Sequence, residues 1–291
     1  MGWHIYLLVM ILTGLVGQAT LEGQRVRWKK RVHKPPQDIQ LFHSTIVANL
    51  PTTETLRKGN FEFIVSHRFI PDLSSGFDSF WGVDGPAYNR LSLAYALTHH
   101  LMVEIGRSNR LRNIDLSVKS KLWQRAHPGL PLVMGARAGI AFSPLDPRAY
   151  RRNRWDVRNF QFFGQLLFNT LIQKKVGIGL VPAYLHNSDL LGDRSLSSVT
   201  MGAYLQVYVS PSWNIWAEAA PVVSGYRDGE MPFTAGIEFE TGGHFFKIFL
   251  TNSTRLNTSQ FLAGSGATGW DPGKWHLGFS ITRLLRFGEK W

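Results

Sequence analysis

A two-residue alternation of apolar and polar side chains recurs along most of this 291-residue chain, and it constrains the fold more than any other feature. A period of two marks a strand with one apolar and one polar face. Ile114, Leu116, Val118 and Leu122 share one face of such a strand, with Asp115, Ser117, Lys119 and Lys121 on the other. Phe61, Phe63, Val65 and Phe69 oppose Asn60, Glu62, Ser66 and Arg68 in the same way. The periodicity predicts 12 strands, at 59–69, 87–97, 101–108, 112–123, 131–142, 158–171, 174–186, 197–209, 213–223, 232–241, 244–252 and 274–285.

A soluble sandwich turns its apolar faces inward and its charges outward. A dozen strands closed into one barrel leave an interior too wide for their own side chains to fill. The apolar face must then meet another medium, and strands of this length suit a tilted crossing of a lipid bilayer. In lipid every backbone group needs an internal partner, so the sheet must close on itself. Connection lengths agree. Those after even strands are short, such as 98–100, 210–212 and 242–243, whereas those after odd strands are mostly long, such as 70–86, 143–157 and 253–273. Only 109–111 breaks the rule. The reading is an all-β fold, a transmembrane antiparallel β-barrel of about 12 strands with both termini on the short-turn side. Trp81, Tyr88, Trp123, Trp155, Tyr184, Trp213, Trp216, Trp270 and Trp275 gather near strand ends, as interfacial aromatic girdles would.

Residues 1–19 read as a cleaved secretory signal peptide, with an apolar run from Trp3 to Val16 and small residues at Gly17 and Ala19. The competing reading is an uncleaved anchor, because Arg25, Arg27, Lys29, Lys30, Arg31 and Lys34 follow the run and no cation precedes it. Residues 20–58 are expected to form a basic periplasmic segment with one short strand at Thr45–Leu50, and 59–287 the barrel. The net charge of +12 by itself suits an anionic partner. No aromatic-interleaved platform or helix-turn-helix pattern accompanies the basic stretch, and nucleic acid is not expected as a partner. With no cysteine, disulfides and thiolate sites are excluded.

Lys58-Gly59-Asn60-Phe61-Glu62-Phe63 and Ser66-His67-Arg68-Phe69 resemble the opening strand of an uncharacterised family of outer-membrane β-barrels found mainly in Bacteroidetes. Leu101–Ser108 and Trp275–Arg283 are similar to it as well, so the resemblance spans about residues 44–287. It implies the barrel fold and the outer membrane of a Gram-negative bacterium. It implies no substrate, reaction or catalytic residue.

Alternation places Glu62, Arg68, Arg90, Glu104, Asp115, Lys119, Lys121, Arg137, Lys175, Glu218, Glu238, Glu240 and Lys247 in the lumen. Mixed charge there suits either a hydrated conduit for small polar solutes or a salt-bridged interior that seals the barrel. Arg148, Arg151, Arg152, Arg154 and Arg158 crowd one exterior connection and are candidates for binding anions, including lipopolysaccharide phosphates. The histidines show no ligand spacing, and neither metal nor cofactor is expected. Ser66 and His67 are strand neighbours and point to opposite faces, and no Gly-x-Ser-x-Gly elbow occurs, so enzymatic activity is not expected. Gly264-Ser265-Gly266-Ala267-Thr268-Gly269 reads as a mobile exterior loop. The expected function is passive passage of small hydrophilic solutes. Its alternatives are a non-conducting scaffold or partner-binding barrel and, less favoured, a surface lipid hydrolase.

Overall fold

The computed structural model describes residues 38–285 except 146, 151 and 268, with the side chain of Arg148 also outside the description. The expected signal peptide and the basic stretch at 25–34 lie outside the described residues.

Among the described residues the chain forms thirteen strands: β1 (Phe61–Phe69), β2 (Ala87–Ala96), β3 (Leu101–Ser108), β4 (Ile114–Arg125), β5 (Leu132–Phe142), β6 (Phe160–Ile172), β7 (Val176–His186), β8 (Ser197–Tyr208), β9 (Trp213–Ala219), β10 (Val222–Gly225), β11 (Phe233–Thr241), β12 (His244–Thr251) and β13 (His276–Leu285). Neighbours pair antiparallel all the way round. β1 closes on β13, and β8 closes on β9, so the sheet has no free edge along the main wall. β9 and β10 both lie along β8 and occupy one position in the wall, giving a 12-strand barrel with one extra segment. The interruption falls at Ala220-Pro221, where proline has no N–H for the ladder and its carbonyl instead accepts from Met201 N. Alternation alone reads this stretch as a single run.

The apolar stripes face outward. Leu116 is 51% exposed, Ile215 55% and Ile248 58%, while their strand neighbours Asp115, Glu218 and Lys247 are each at most 2% exposed. Only a lipid environment makes that arrangement favourable for so many large apolar side chains. Two expected girdle residues carry the inner parity: Tyr88, which shares it with Arg90 on β2, and Trp216 on β9. Trp216 shares its parity with Asn214 and Glu218, points inward and packs against Phe249 at 5.6 Å. At Lys121/Trp123 a bulge shifts the register, so Leu122 and Trp123 both face outward.

The lumen holds chain of its own. Residues 39–58 form a finger that starts beside the β4–β5 turn, where Gln124 Oε1 accepts from Ile39 N at 2.9 Å. The finger folds back through an Ile46–Pro51 bridge and rejoins the wall where Gly59 N donates to Ala96 O. The short strand expected at Thr45–Leu50 is therefore half of a turned-back finger inside the barrel. Phe42, Val47 and Leu50 form an apolar cluster with Leu167, Val181 and Tyr204 on the inner wall. From the exterior end, the β12–β13 connection also turns inward. Its one-turn helix, Thr258–Phe261, is buried, and so are Leu262–Ser265. Of Gly264–Gly269, expected to be a mobile exterior loop, Gly264 and Ser265 are buried, while Gly266 and Gly269 are exposed.

Candidate functional site in the barrel lumen

Strand alternation aims the inner-face charges at the barrel axis, and the register groups them in two layers. Toward the exterior, Arg90 pairs with Glu104 at 2.9 Å and Asp115 at 2.7 Å, and Arg137 pairs with the same Glu104 at 3.1 Å. The inturned connection ties into this layer. Arg137 donates to Thr258 Oγ1 at 2.9 Å, Asn257 donates to Asp115 at 2.9 Å, and Thr200 Oγ1 donates to Leu262 O at 2.8 Å.

The second layer seats the finger. Glu218 accepts from three consecutive backbone N–H groups at the tip, Ala48 at 3.2 Å, Asn49 at 3.0 Å and Leu50 at 3.0 Å, and from Asn49 Nδ2 at 2.6 Å. Two strands along the wall, Lys247 donates to Ser44 Oγ at 2.8 Å and to the carbonyls of Ile46 and Val47. Lys119 donates to Thr45 O at 2.9 Å and Thr52 O at 3.3 Å. Glu62 accepts from Thr45 Oγ1, Asn169 Oδ1 from Thr53 N at 2.7 Å, and Arg68 donates to Asn49 Oδ1 at 3.3 Å. Near the entry, Lys121 donates to Ile39 O at 3.0 Å, and Glu54 accepts from Leu41 N at 2.8 Å. A turned-back segment that is not in a ladder carries many unpaired backbone groups, and each one left unsatisfied in the interior costs about 1–3 kcal/mol. The wall charges supply those partners.

Burial sets the present state of the lumen. In a water-filled conduit the wall charges would be wetted, yet Lys119 is 5% exposed and Arg68 1%. Ten of the thirteen expected lumen residues are buried inward: Glu62, Arg68, Arg90, Asp115, Lys119, Lys121, Arg137, Glu218, Glu238 and Lys247. Glu104 is inward and nearly buried, and Glu238 pairs with Lys247 at 2.9 Å. Glu240 is half-buried near the end of β11. Lys175 does not line the lumen. It lies exposed in the tight β6–β7 turn, where Gln173 and Lys174 take positive φ and close the hairpin before alternation can apply.

The exterior arginines do not act as one cluster. Arg152 is buried and donates to the carbonyls of Leu190 at 3.0 Å, Leu191 at 3.1 Å and Gly192 at 2.7 Å, so its guanidinium pins the β7–β8 connection. Arg158 forms an ion pair with Asp156 at 2.8 Å, and this partner holds the Asp156 carboxyl well below the usual range. Arg154 is exposed, while Arg151 and the side chain of Arg148 lie outside the described residues. Ser66 faces inward beside Ser280 at 3.0 Å, and His67 stacks outward on Phe279 at 4.4 Å, so the two do not converge.

Alternation does not reveal the finger residues, nor Asn169 and Tyr204 as their inner partners, nor Asn257 as the partner of Asp115. The one sequence signal for the finger is the mixture of apolar and uncharged polar residues over 39–53, too apolar for a solvated linker and too short for two wall strands.

The fold is similar to those of three solved structures. A NanC porin structure is 10% identical over 77% of this chain and 98% of its own, with a TM-score of 0.47. An outer membrane channel from Pseudomonas putida F1 is 15% identical over 80% and 98%, with a TM-score of 0.45. The KdgM porin is 7% identical over 79% and 99%, with a TM-score of 0.44. No curated protein matches the sequence. The family model described as "Membrane bound beta barrel domain (DUF5777)" matches residues 42–285, a span that includes the finger from Phe42 as well as the wall. The chain belongs to this family of membrane-bound β-barrel domains.

Proposed function

We propose that this outer-membrane barrel is a gated conduit for small hydrophilic solutes, closed at rest by its own finger and inturned loop. The observation that carries the reading is the chemistry of the seat. The wall holds the finger through ionic and polar side chains, and these same groups would line a wetted passage if the finger withdrew. A permanently sealed interior is served as well or better by apolar packing, because buried charges carry a desolvation cost.

The scaffold reading is favoured by a different observation, the dry cluster of Phe42, Val47 and Leu50 against the inner wall, which gives the closed state apolar stability. Planar-bilayer recording separates the two. Under the gated reading the full chain is silent or opens rarely, and Glu218→Ala, which orphans three tip N–H groups, raises the open fraction. A folded Glu218→Ala barrel that stays silent would favour the scaffold.

A further inference from the structure

The exterior mouth carries a second site, independent of whether the lumen conducts. Between the β1–β2, β3–β4 and β12–β13 connections lies a cleft of roughly 490 Å3, lined among others by Asp72, Arg110, Thr254, Asp271, Lys274 and Trp275. That volume falls within the range of small-molecule sites. Its chemistry is unusually balanced. Arg110 and Lys274 offer donors, Asp72 and Asp271 offer acceptors, and Thr254 offers a hydroxyl that is both. The two cations and two carboxylates cancel in formal charge.

Two donors in the lining are left over by the fold. Trp275 Nε1 and Arg110 Nε are buried and have no hydrogen-bond partner among the described residues. Leaving such donors unpaired is costly, and two of them belong to residues that line this one cleft. Both are held in place. The Trp275 ring packs on Phe233 at 5.5 Å and Trp270 at 6.0 Å, and its carbonyl accepts from Leu73 N at 2.8 Å. The Arg110 guanidinium stacks over Tyr88 at 5.0 Å and donates to Thr254 Oγ1 at 3.4 Å.

From this lining we infer that the cleft binds an uncharged saccharide. Each sugar hydroxyl both donates and accepts, which matches a wall carrying both kinds of group. The C–H face of a pyranose suits the indole of Trp275. A phosphate would meet two carboxylates without enough cations to offset them, and a hydrocarbon would strand the charged lining.

The test uses the full chain in detergent micelles on a glycan array of neutral, acidic and amino saccharides, with inorganic phosphate as a competitor. Discrete uncharged glycans are expected to bind, and phosphate is expected not to displace them. Trp275→Phe keeps an aromatic ring but removes the indole donor and part of the stacking face, and should weaken binding about tenfold or more. Lys274→Gln, on an exposed side chain, should weaken the same glycans with no effect on folding. Absence of any bound glycan, binding confined to acidic glycans, displacement by phosphate, or folded variants that bind as the parent does would each overturn the assignment.

Discussion

Gly177 shows how much a single position on the inner wall decides. A Cβ built there would run into the Phe42 ring of the finger, so glycine is what lets the aromatic side chain reach the wall. Gly164 lies on the outer face, and a Cβ there meets nothing within 4 Å. Gly177→Ala should therefore destabilise the folded barrel by about 1–3 kcal/mol through overpacking, while Gly164→Ala should be close to neutral. Equilibrium urea unfolding in lipid vesicles measures both. Equal effects from the two would show that Phe42 is not seated as described. Side-chain roles of this kind were only partly legible in the sequence. The inward direction of Glu218 or Lys247 follows from parity, but Arg152 looked like one of five anion-binding candidates and instead serves three carbonyls of a neighbouring connection. Contacts between exterior connections have no period, so nothing in the chain announces them.

At the level of elements, the wall was almost fully legible and its contents were not. Strand limits such as Leu101–Ser108 follow the alternation closely, because lipid on one side and polar groups on the other enforce it wherever no bulge intervenes, as one does at Lys121/Trp123 of Ile114–Arg125. The finger has no such two-sided medium. It is surrounded by wall, and its pattern mixes apolar anchors with polar backbone contacts. Within it, burial pushes the Glu54 carboxyl above its ordinary value of 4.5, against the pull of Lys121 and the N–H groups of Leu41 and Phe42. A raised carboxyl binds its proton more tightly when the finger is seated than when it is free. The seated state accordingly gains stability as pH falls through the raised value toward 4.5, and the penalty is fully present above it. Since the chain has no cysteine, Ala48→Cys gives a single thiol at the finger tip. Its labelling rate, corrected for thiolate ionisation, should drop on mild acidification, and adding Glu54→Gln should flatten that dependence. An unchanged profile in Glu54→Gln would remove this residue from the account.

For the molecule as a whole, the central claim is that one closed wall faces lipid outward and holds a removable segment inward. The outer face, with Leu116, Ile215 and Ile248 exposed, accounts for the membrane, and the layered inner charges account for the seat. The most direct measurement joins the finger to the wall and asks whether conduction follows its release. In a Glu218→Ala background, Leu50→Cys and Gly202→Cys place thiols where the finger touches the wall, within reach of a short reducible crosslinker. Single-channel recording should find the crosslinked barrel silent and should find discrete conductance steps after reduction. Steps of the same size and frequency before and after reduction, or silence in both states from a correctly folded barrel, would contradict the claim that this finger is the gate.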